Sequence, residues 1–117
     1  MDEKTLINYL GKLAKNNPSA LQLNDDIFFD KKKEIAISVD TYNEGTHFPR
    51  SPKLGLLIKK IIRSSISDLV CKGVKAKYYF ISFTSPKKFF NRSVILKIVN
   101  SLKEEQKKYK IKISGGD

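Results

Sequence analysis

The sequence predicts an α/β fold, a two-layer sandwich in which helices cover one face of a four-stranded mixed sheet. Helical and alternating apolar patterns follow one another along the chain, and turn-forming residues separate them. Their order is helix, strand, strand, helix, strand, helix, strand, which is typical of this two-layer arrangement. With 117 residues, the chain can form one compact domain and has no room for a second.

The first half of the sequence predicts a helix followed by a β-hairpin. Leucines recur on one face of a helix over residues 3–15, and Pro18 marks its end. Residues 27–29 form a short apolar strand, and residues 34–42 alternate between apolar and polar side chains. The lysines of residues 31–33 predict a solvated turn that joins the two strands.

The second half predicts two long helices and two strands. Apolar residues three and four positions apart indicate an amphipathic helix over residues 52–71. Residues 77–84 predict a strand, Pro86 opens the second long helix, and residues 110–114 predict a last strand before a glycine turn. The second helix is expected to direct four apolar side chains toward the core: Phe90, Val94, Ile98 and Leu102.

The composition excludes several classes of protein. The net charge is +11, but 20 of the 23 basic residues are lysines. Arginine is the preferred residue for bidentate recognition of phosphates and bases, so we expect attraction of anionic nucleotides without a specific nucleic-acid partner. No apolar run approaches the ~20 residues that cross a bilayer, and the N-terminus lacks the features of a secretory signal. The single Cys71 excludes an internal disulfide and suits the cytoplasm.

Five of the 12 acidic residues fall in four short motifs, most of them at the ends of predicted elements. Carboxylates gathered from several such ends suit Mg²⁺, a hard cation that takes oxygen ligands and often bridges to phosphates. For any one aspartate alone, a helix cap or a turn is the commoner role, and that alternative stays open. The motifs are Asn24-Asp25-Asp26, Ser38-Val39-Asp40, Ser67-Asp68 and Gly115-Gly116-Asp117.

The longer context of Asp40 carries a resemblance to a known family. It reads Ser38-Val39-Asp40-Thr41-Tyr42-Asn43-Glu44-Gly45-Thr46-His47-Phe48. This stretch resembles the signature of the thiamine-monophosphate kinases, in which a strand delivers Ser-Thr-Asp-Thr and a loop continues to Glu-Gly-x-His-Phe. The other three motifs follow in that family's order, as its Gly-Asp-Asp, its Leu-Ser-Asp-Leu-Ala-Ala-Met-Gly and its Gly-Gly-Asp. The resemblance covers residues 6–117.

The resemblance implies an activity and a set of site residues. The family transfers the γ-phosphoryl group of ATP, its co-substrate, to thiamine monophosphate in a Mg²⁺-dependent reaction that gives thiamine diphosphate. By resemblance, Gly116 and Asp117 contact the nucleotide and His47 contacts thiamine monophosphate. No residue is assigned a catalytic role beyond binding the metal. The implied metal contacts are Asp26, Ser38, the carbonyl of Val39, Asp40, Asp68 and Asp117.

The resemblance also implies partners. The chain is similar to the N-terminal domain of the aminoimidazole-ribonucleotide-synthetase-like superfamily, and the second domain of these kinases is absent from residues 1–117. A separate chain that supplies this domain is one expected partner. Another is a second copy, because such domains form dimers through their sheets. The candidates for an exposed apolar sheet face are Tyr42, Tyr78, Phe80, Ile35 and Ile37, with packing under the helices as the alternative.

Several positions depart from the family pattern. Asn24 replaces a glycine, Val39 replaces a threonine, and Ser65 replaces an asparagine. Lys72 places a charge where the family has a methionine and where close helix packing is expected. These departures leave two functions open, a divergent kinase and a non-catalytic dimerising or nucleotide-binding remnant. We expect negligible turnover by this chain alone, because much of the nucleotide site belongs to the other domain of the resembled kinases.

Overall fold

The structure is a computed structural model that describes residues 1–44 and 53–117. Its helices and strands follow the predicted order, with short 3₁₀ helices at Pro18–Leu23 and Lys87–Phe89. None of the helices in these two ranges has the length and apolar character needed to cross a membrane. The elements are α1 (Glu3–Gly11), β1 (Ile27–Asp30), β2 (Ile35–Ser38), α2 (Leu54–Val70), β3 (Tyr78–Ile81), α3 (Arg92–Tyr109) and β4 (Lys112–Gly116).

The predicted hairpin and its lysine turn are confirmed. Strands β1 and β2 are antiparallel, with Ile27 opposite Ser38, and the backbone N–H of Lys33 donates a hydrogen bond of 3.0 Å to Asp30 Oδ1 within the turn. Strand β2 ends at Ser38, short of the predicted residue 42. The reason is that β1 begins at Ile27, so the residues after Ser38 have no partner on that strand.

The core lies between α2, α3 and the inner side of β3. Residues three and four positions apart on each helix meet across this interface, as the amphipathic pattern predicts. A Cβ atom at Gly55 of α2 would lie 3.1 Å from Ser101 Oγ of α3, so a glycine allows the two helices to approach closely. The buried core residues are Ile58, Ile62, Ala76, Ile98, Leu102 and Ile111.

A buried ion pair also joins the two helices. Glu105 of α3 is 1 % exposed and accepts two hydrogen bonds of 3.0 Å from Arg63 of α2, one from Nε and one from Nη2. The hydrogen bonds raise the pKa of Arg63. Because a buried carboxylate is tolerated only when it is paired, this contact fixes how α2 and α3 pack.

Strands β3 and β4 are parallel and are connected through α3. Tyr79 and Ile81 of β3 pack against the core, whereas Tyr78 and Phe80 on the other side are 66 % and 73 % exposed. The expectation of an exposed apolar sheet face therefore fits β3, and the alternative of packing under the helices does not.

The predicted glycine turn is wrong, because Gly115 and Gly116 lie within β4. A Cβ atom at Gly116 would stand 1.7 Å from the carbonyl oxygen of Ile81, and the residue has a φ of 151°. Glycine is required here for close approach of two strands, not for a turn.

The prediction of one four-stranded mixed sheet is also wrong. Among the described residues there are two separate sheets of two strands each, antiparallel β1–β2 and parallel β3–β4. Periodicity indicates that a strand exists but contains no information about its hydrogen-bonding partner. The strands are only four or five residues long, so each offers few free backbone groups for pairing with a further strand.

Two helix boundaries differ from the prediction. Helix α1 ends at Gly11, and Leu13 beyond it is 85 % exposed. Helix α3 begins at Arg92 and not near Pro86, because the Asn91 side chain accepts a hydrogen bond of 3.0 Å from the N–H of Val94 and caps the helix. Phe90 therefore precedes the helix and is 39 % exposed, whereas the other three predicted core residues of α3 do reach the core.

Candidate metal centre

One face of α2 carries the predicted site residue Asp68 together with two residues that were not predicted to belong to the site. Ser65 and Asp68 are three residues apart on this helix, and Lys72 follows Asp68 by four residues in the turn after it. Side chains at these spacings point to the same side of a helix. This side faces the end of β2 and the segment before β1, where two more of the aspartate motifs lie.

Two carboxylates meet at this face, Asp40 and Asp68. The hydroxyl of Ser38 donates a hydrogen bond of 3.4 Å to Asp68 Oδ2, and the hydroxyl of Ser65 donates one of 3.3 Å to Asp40 Oδ2. Asp68 is also close enough to Asp40 to raise the pKa of its carboxyl group. Four oxygen-bearing side chains from β2, the residues just after it and α2 thus converge on one place.

The electrostatics of the pair favour a bound cation. Partial burial raises the pKa of Asp40 above its ordinary value, and the nearby carboxylate of Asp68 raises it further. The Ser65 hydroxyl acts in the opposite direction. A cation bound at this point would relieve the repulsion between the two carboxylates. Carboxylate and hydroxyl oxygens are also suitable ligands for Mg²⁺. The residues present therefore fit that ion.

Asp26 lies beside this pair because of the hairpin register. Ile27 stands opposite Ser38, so Asp26 comes one position before the ladder, at the same end of the hairpin at which Val39 and Asp40 follow β2. The negative charge of Asp26 also raises the pKa of Asp40. Asp26 is exposed and Val39 is 80 % exposed, which leaves both accessible to a ligand.

Other predicted site residues are not joined to the pair. Asp117 follows β4, where its N–H donates to the Ile81 carbonyl at 3.0 Å and its carbonyl accepts from the N–H of Phe83 at 2.8 Å. Gly116 lies in the same strand, and His47 falls outside the described residues. Over residues 1–44 and 53–117, no group of three or more histidine, cysteine, aspartate or glutamate side chains is close enough to hold a metal ion.

Sequence reasoning missed two contributions to this region. Ser65 and Lys72 were noted only as departures from a family pattern, yet Ser65 binds Asp40, and Lys72 Nζ forms an ion pair of 2.9 Å with Asp25 Oδ2. The hydrogen bond from Lys72 lowers the pKa of Asp25. Lys72 is also not packed between helices, since its side chain is 43 % exposed. The spacing of Ser65, Asp68 and Lys72 was the signal that could have identified this face.

Comparison with known proteins identifies the family of the chain. The sequence pattern of the family described as "AIR synthase related protein, N-terminal domain" matches residues 20–117. The thiamine-monophosphate kinase of Nitrosopumilus maritimus is 29 % identical over 118 aligned positions, which include 100 % of this chain and 36 % of that protein. The thiamine-monophosphate kinase of Buchnera aphidicola from Acyrthosiphon pisum is 33 % identical over 87, covering 74 % of this chain and 26 % of that protein.

The fold is also similar to a solved structure. The crystal structure of thiamine monophosphate kinase from Aquifex aeolicus superimposes with a TM-score of 0.77 and 25 % identity, over 99 % of this chain and 38 % of that one. The chain thus spans between about a quarter and two fifths of the length of these relatives. The match to residues 20–117 shows that the chain belongs to the family of AIR synthase related proteins, of which it carries the N-terminal domain.

Proposed function

We propose that this domain forms the metal-binding part of a Mg²⁺-dependent kinase that phosphorylates thiamine monophosphate with ATP. The observation that carries the proposal is the contact between Asp40 and Asp68, with a raised pKa at Asp40 and serine hydroxyls on both carboxylates. The relatives named thiamine-monophosphate kinase supply the reaction class and the substrate.

Phosphoryl transfer explains why such a site is needed. Donor and acceptor both carry negative phosphates, and catalysis depends mainly on positioning them and neutralising their charge. Bound Mg²⁺ would supply that neutralisation. In the proposal Asp40 and Asp68 hold the ion together with Asp26, while the Ser38 hydroxyl and the Val39 carbonyl add oxygen contacts.

The remaining site residues are proposed from the family resemblance. Asp117 is a further proposed metal ligand and, with Gly116, contacts the nucleotide, while His47 contacts thiamine monophosphate. The exposed side of β3 is proposed as a homodimer surface, because Tyr78 and Phe80 leave large apolar side chains in solvent. A separate chain that carries the rest of the nucleotide site is the other proposed partner.

A second candidate is a domain that binds Mg²⁺ or a nucleotide without catalysing transfer. It is favoured by the position of Asp117, whose backbone pairs with Ile81 and Phe83 and whose side chain is not joined to the pair of Asp40 and Asp68. Calorimetry with ATP and thiamine monophosphate in the presence of Mg²⁺ separates the two candidates. Binding of both substrates supports the kinase, and binding of the nucleotide alone supports the second candidate.

The metal assignment is tested by titrating the chain with Mg²⁺. We expect binding in the millimolar range for the wild type, weakened about tenfold or more by Asp40→Asn and by Asp68→Asn, because each variant removes a carboxylate charge. The matched control is Glu104→Gln, which removes an exposed carboxylate on α3 that pairs with Lys59. An identical response from wild type and both aspartate variants would contradict the proposal.

A further inference from the structure

The ion pair between Lys72 and Asp25 joins two parts of the chain that are far apart in sequence. Lys72 follows the C-terminal end of α2, and Asp25 lies in the short segment that leads into β1. Nζ and Oδ2 are 2.9 Å apart, and the two side chains are 43 % and 30 % exposed. This partly shielded contact ties the segment of residues 24–26 to the end of α2.

Asp25 extends this tie to the next residues. Asp25 is the chain neighbour of Asp26, so the ion pair restrains the backbone that leads into Asp26 and Ile27. Ile27 in turn is buried and pairs with Ser38. A continuous set of contacts therefore runs from Lys72 through Asp25 to the backbone that carries Asp26.

Helix α2 is thus a common support for two acids of the candidate centre. It carries Asp68 directly, and it holds Asp26 indirectly through Lys72, which lies one turn beyond Asp68 on the same side. Asp26 is exposed, and the ladder of β1 and β2 begins only after it at Ile27. The ion pair of Lys72 with Asp25 therefore restrains the segment that carries this aspartate.

We infer that Lys72 is a positioning residue for the candidate metal centre, which acts through Asp25 to hold Asp26 beside Asp40 and Asp68. The inference rests on the proposed function, since it requires that a cation binds there. It goes further by giving a role to a residue that touches neither metal nor substrate. Residues that orient ligands in this way typically contribute about 10- to 100-fold to metal affinity.

A competing effect has the opposite sign, which makes the inference testable. The charge of Lys72 lies near Asp26, and a nearby positive charge by itself opposes cation binding. Removal of the lysine would then tighten binding. In the positioning role removal weakens binding, because Asp26 loses its support.

The experiment uses Mn²⁺, whose free concentration is measured by electron paramagnetic resonance, with the full chain. We expect Lys72→Met to weaken Mn²⁺ binding about tenfold. This is the low end of the range for residues that orient metal ligands, because the ion pair is partly exposed. Lys72→Arg keeps the ion pair and should restore affinity to within about threefold of the wild type. Lys60→Met removes an exposed lysine from α2 and is the matched control, with affinity unchanged.

Hydrogen exchange without metal supplies the second readout. Lys72→Met should speed exchange at the amides of Asp26 and Ile27 and leave exchange in α3 unchanged. A general loss of stability would instead speed exchange in α3 as well. Unchanged or tighter Mn²⁺ binding by Lys72→Met, or unchanged exchange at these two amides, overturns the inference and leaves the proposed function intact. Failure of the wild type to bind Mn²⁺ overturns both.

Discussion

Replacement of Gly116 by alanine tests whether the Gly-Gly-Asp motif is shaped by strand pairing. The added Cβ would lie 1.7 Å from the carbonyl oxygen of Ile81, a backbone atom that cannot rotate away. Gly115→Ala is a matched control with a similar φ of 157°, but its Cβ would meet the ring of Phe80 at 3.0 Å. Phe80 is 73 % exposed, so its ring can move.

The loss of stability expected for Gly116→Ala follows from the contacts that β4 would lose. To relieve the clash, the strand must move away from Ile81 and give up two backbone hydrogen bonds, from the Asp117 N–H to the Ile81 carbonyl at 3.0 Å and from the Phe83 N–H to the Asp117 carbonyl at 2.8 Å. At about 0.5–1.5 kcal/mol each, their loss lowers the free energy of unfolding by about 1–3 kcal/mol. Gly115→Ala keeps both bonds, and only the strain of its φ remains.

Urea unfolding followed by circular dichroism gives the global cost, and amide exchange at Phe83 locates it. We expect Gly116→Ala to lose protection at the Phe83 amide and Gly115→Ala to retain it. Equal protection in the two variants would refute the explanation of Gly116 by close strand approach. Displacement of β4 would also move Asp117, so Gly116→Ala is expected to bind the nucleotide more weakly.

Three further predictions concern stability. Because the pKa of Asp40 is raised on folding, the folded state binds more protons, and stability falls as pH rises from the ordinary aspartate value through the raised one. Asp40→Asn should thus raise the urea midpoint of the metal-free chain at pH 7, and a lower midpoint would contradict this. Glu105→Gln should lower the free energy of unfolding, measured with urea, by about 1.5–3 kcal/mol, because it weakens the ion pair with Arg63. Glu104→Gln should leave the urea midpoint unchanged, and equal effects of the two substitutions would argue against a stabilising role of that ion pair. Asn91→Ala removes the cap of α3 and should cost about 1 kcal/mol, and no loss of helix stability by circular dichroism would count against that cap.

Local patterns predicted the elements well where one interaction dominates. The spacing of apolar residues located α2 to within two residues at either end, since burial of one helix face against α3 decides that structure. The lysine turn was predicted for a similar reason, because three adjacent charges have no place in a core. Both features depend on residues close together in sequence.

Features that depend on distant residues, or on which of two competing local signals prevails, were not predicted. The start of α3 is set by the side chain of Asn91, and Pro86 gave a competing signal five residues earlier. The glycines before Asp117 indicated a turn, since the sequence does not show that Ile81 passes within contact distance of Gly116. Strand pairing belongs to the same class, because the partner of each strand is decided by packing elsewhere in the chain.

The candidate metal centre shows the same division between local and distant information. The order of the aspartate motifs was readable along the chain, but their meeting depends on α2, which presents Ser65 and Asp68 to residues 25 and 30 positions away. Partial burial and the neighbouring carboxylate of Asp68 both raise the pKa of Asp40, so its ionised form is disfavoured in the metal-free chain. A scaffold gains nothing from two adjacent carboxylates, whereas a cation site does, because the bound ion turns their repulsion into attraction. The stability lost at Asp40 without metal is therefore the physical argument for a binding role, independent of the similarity to kinases.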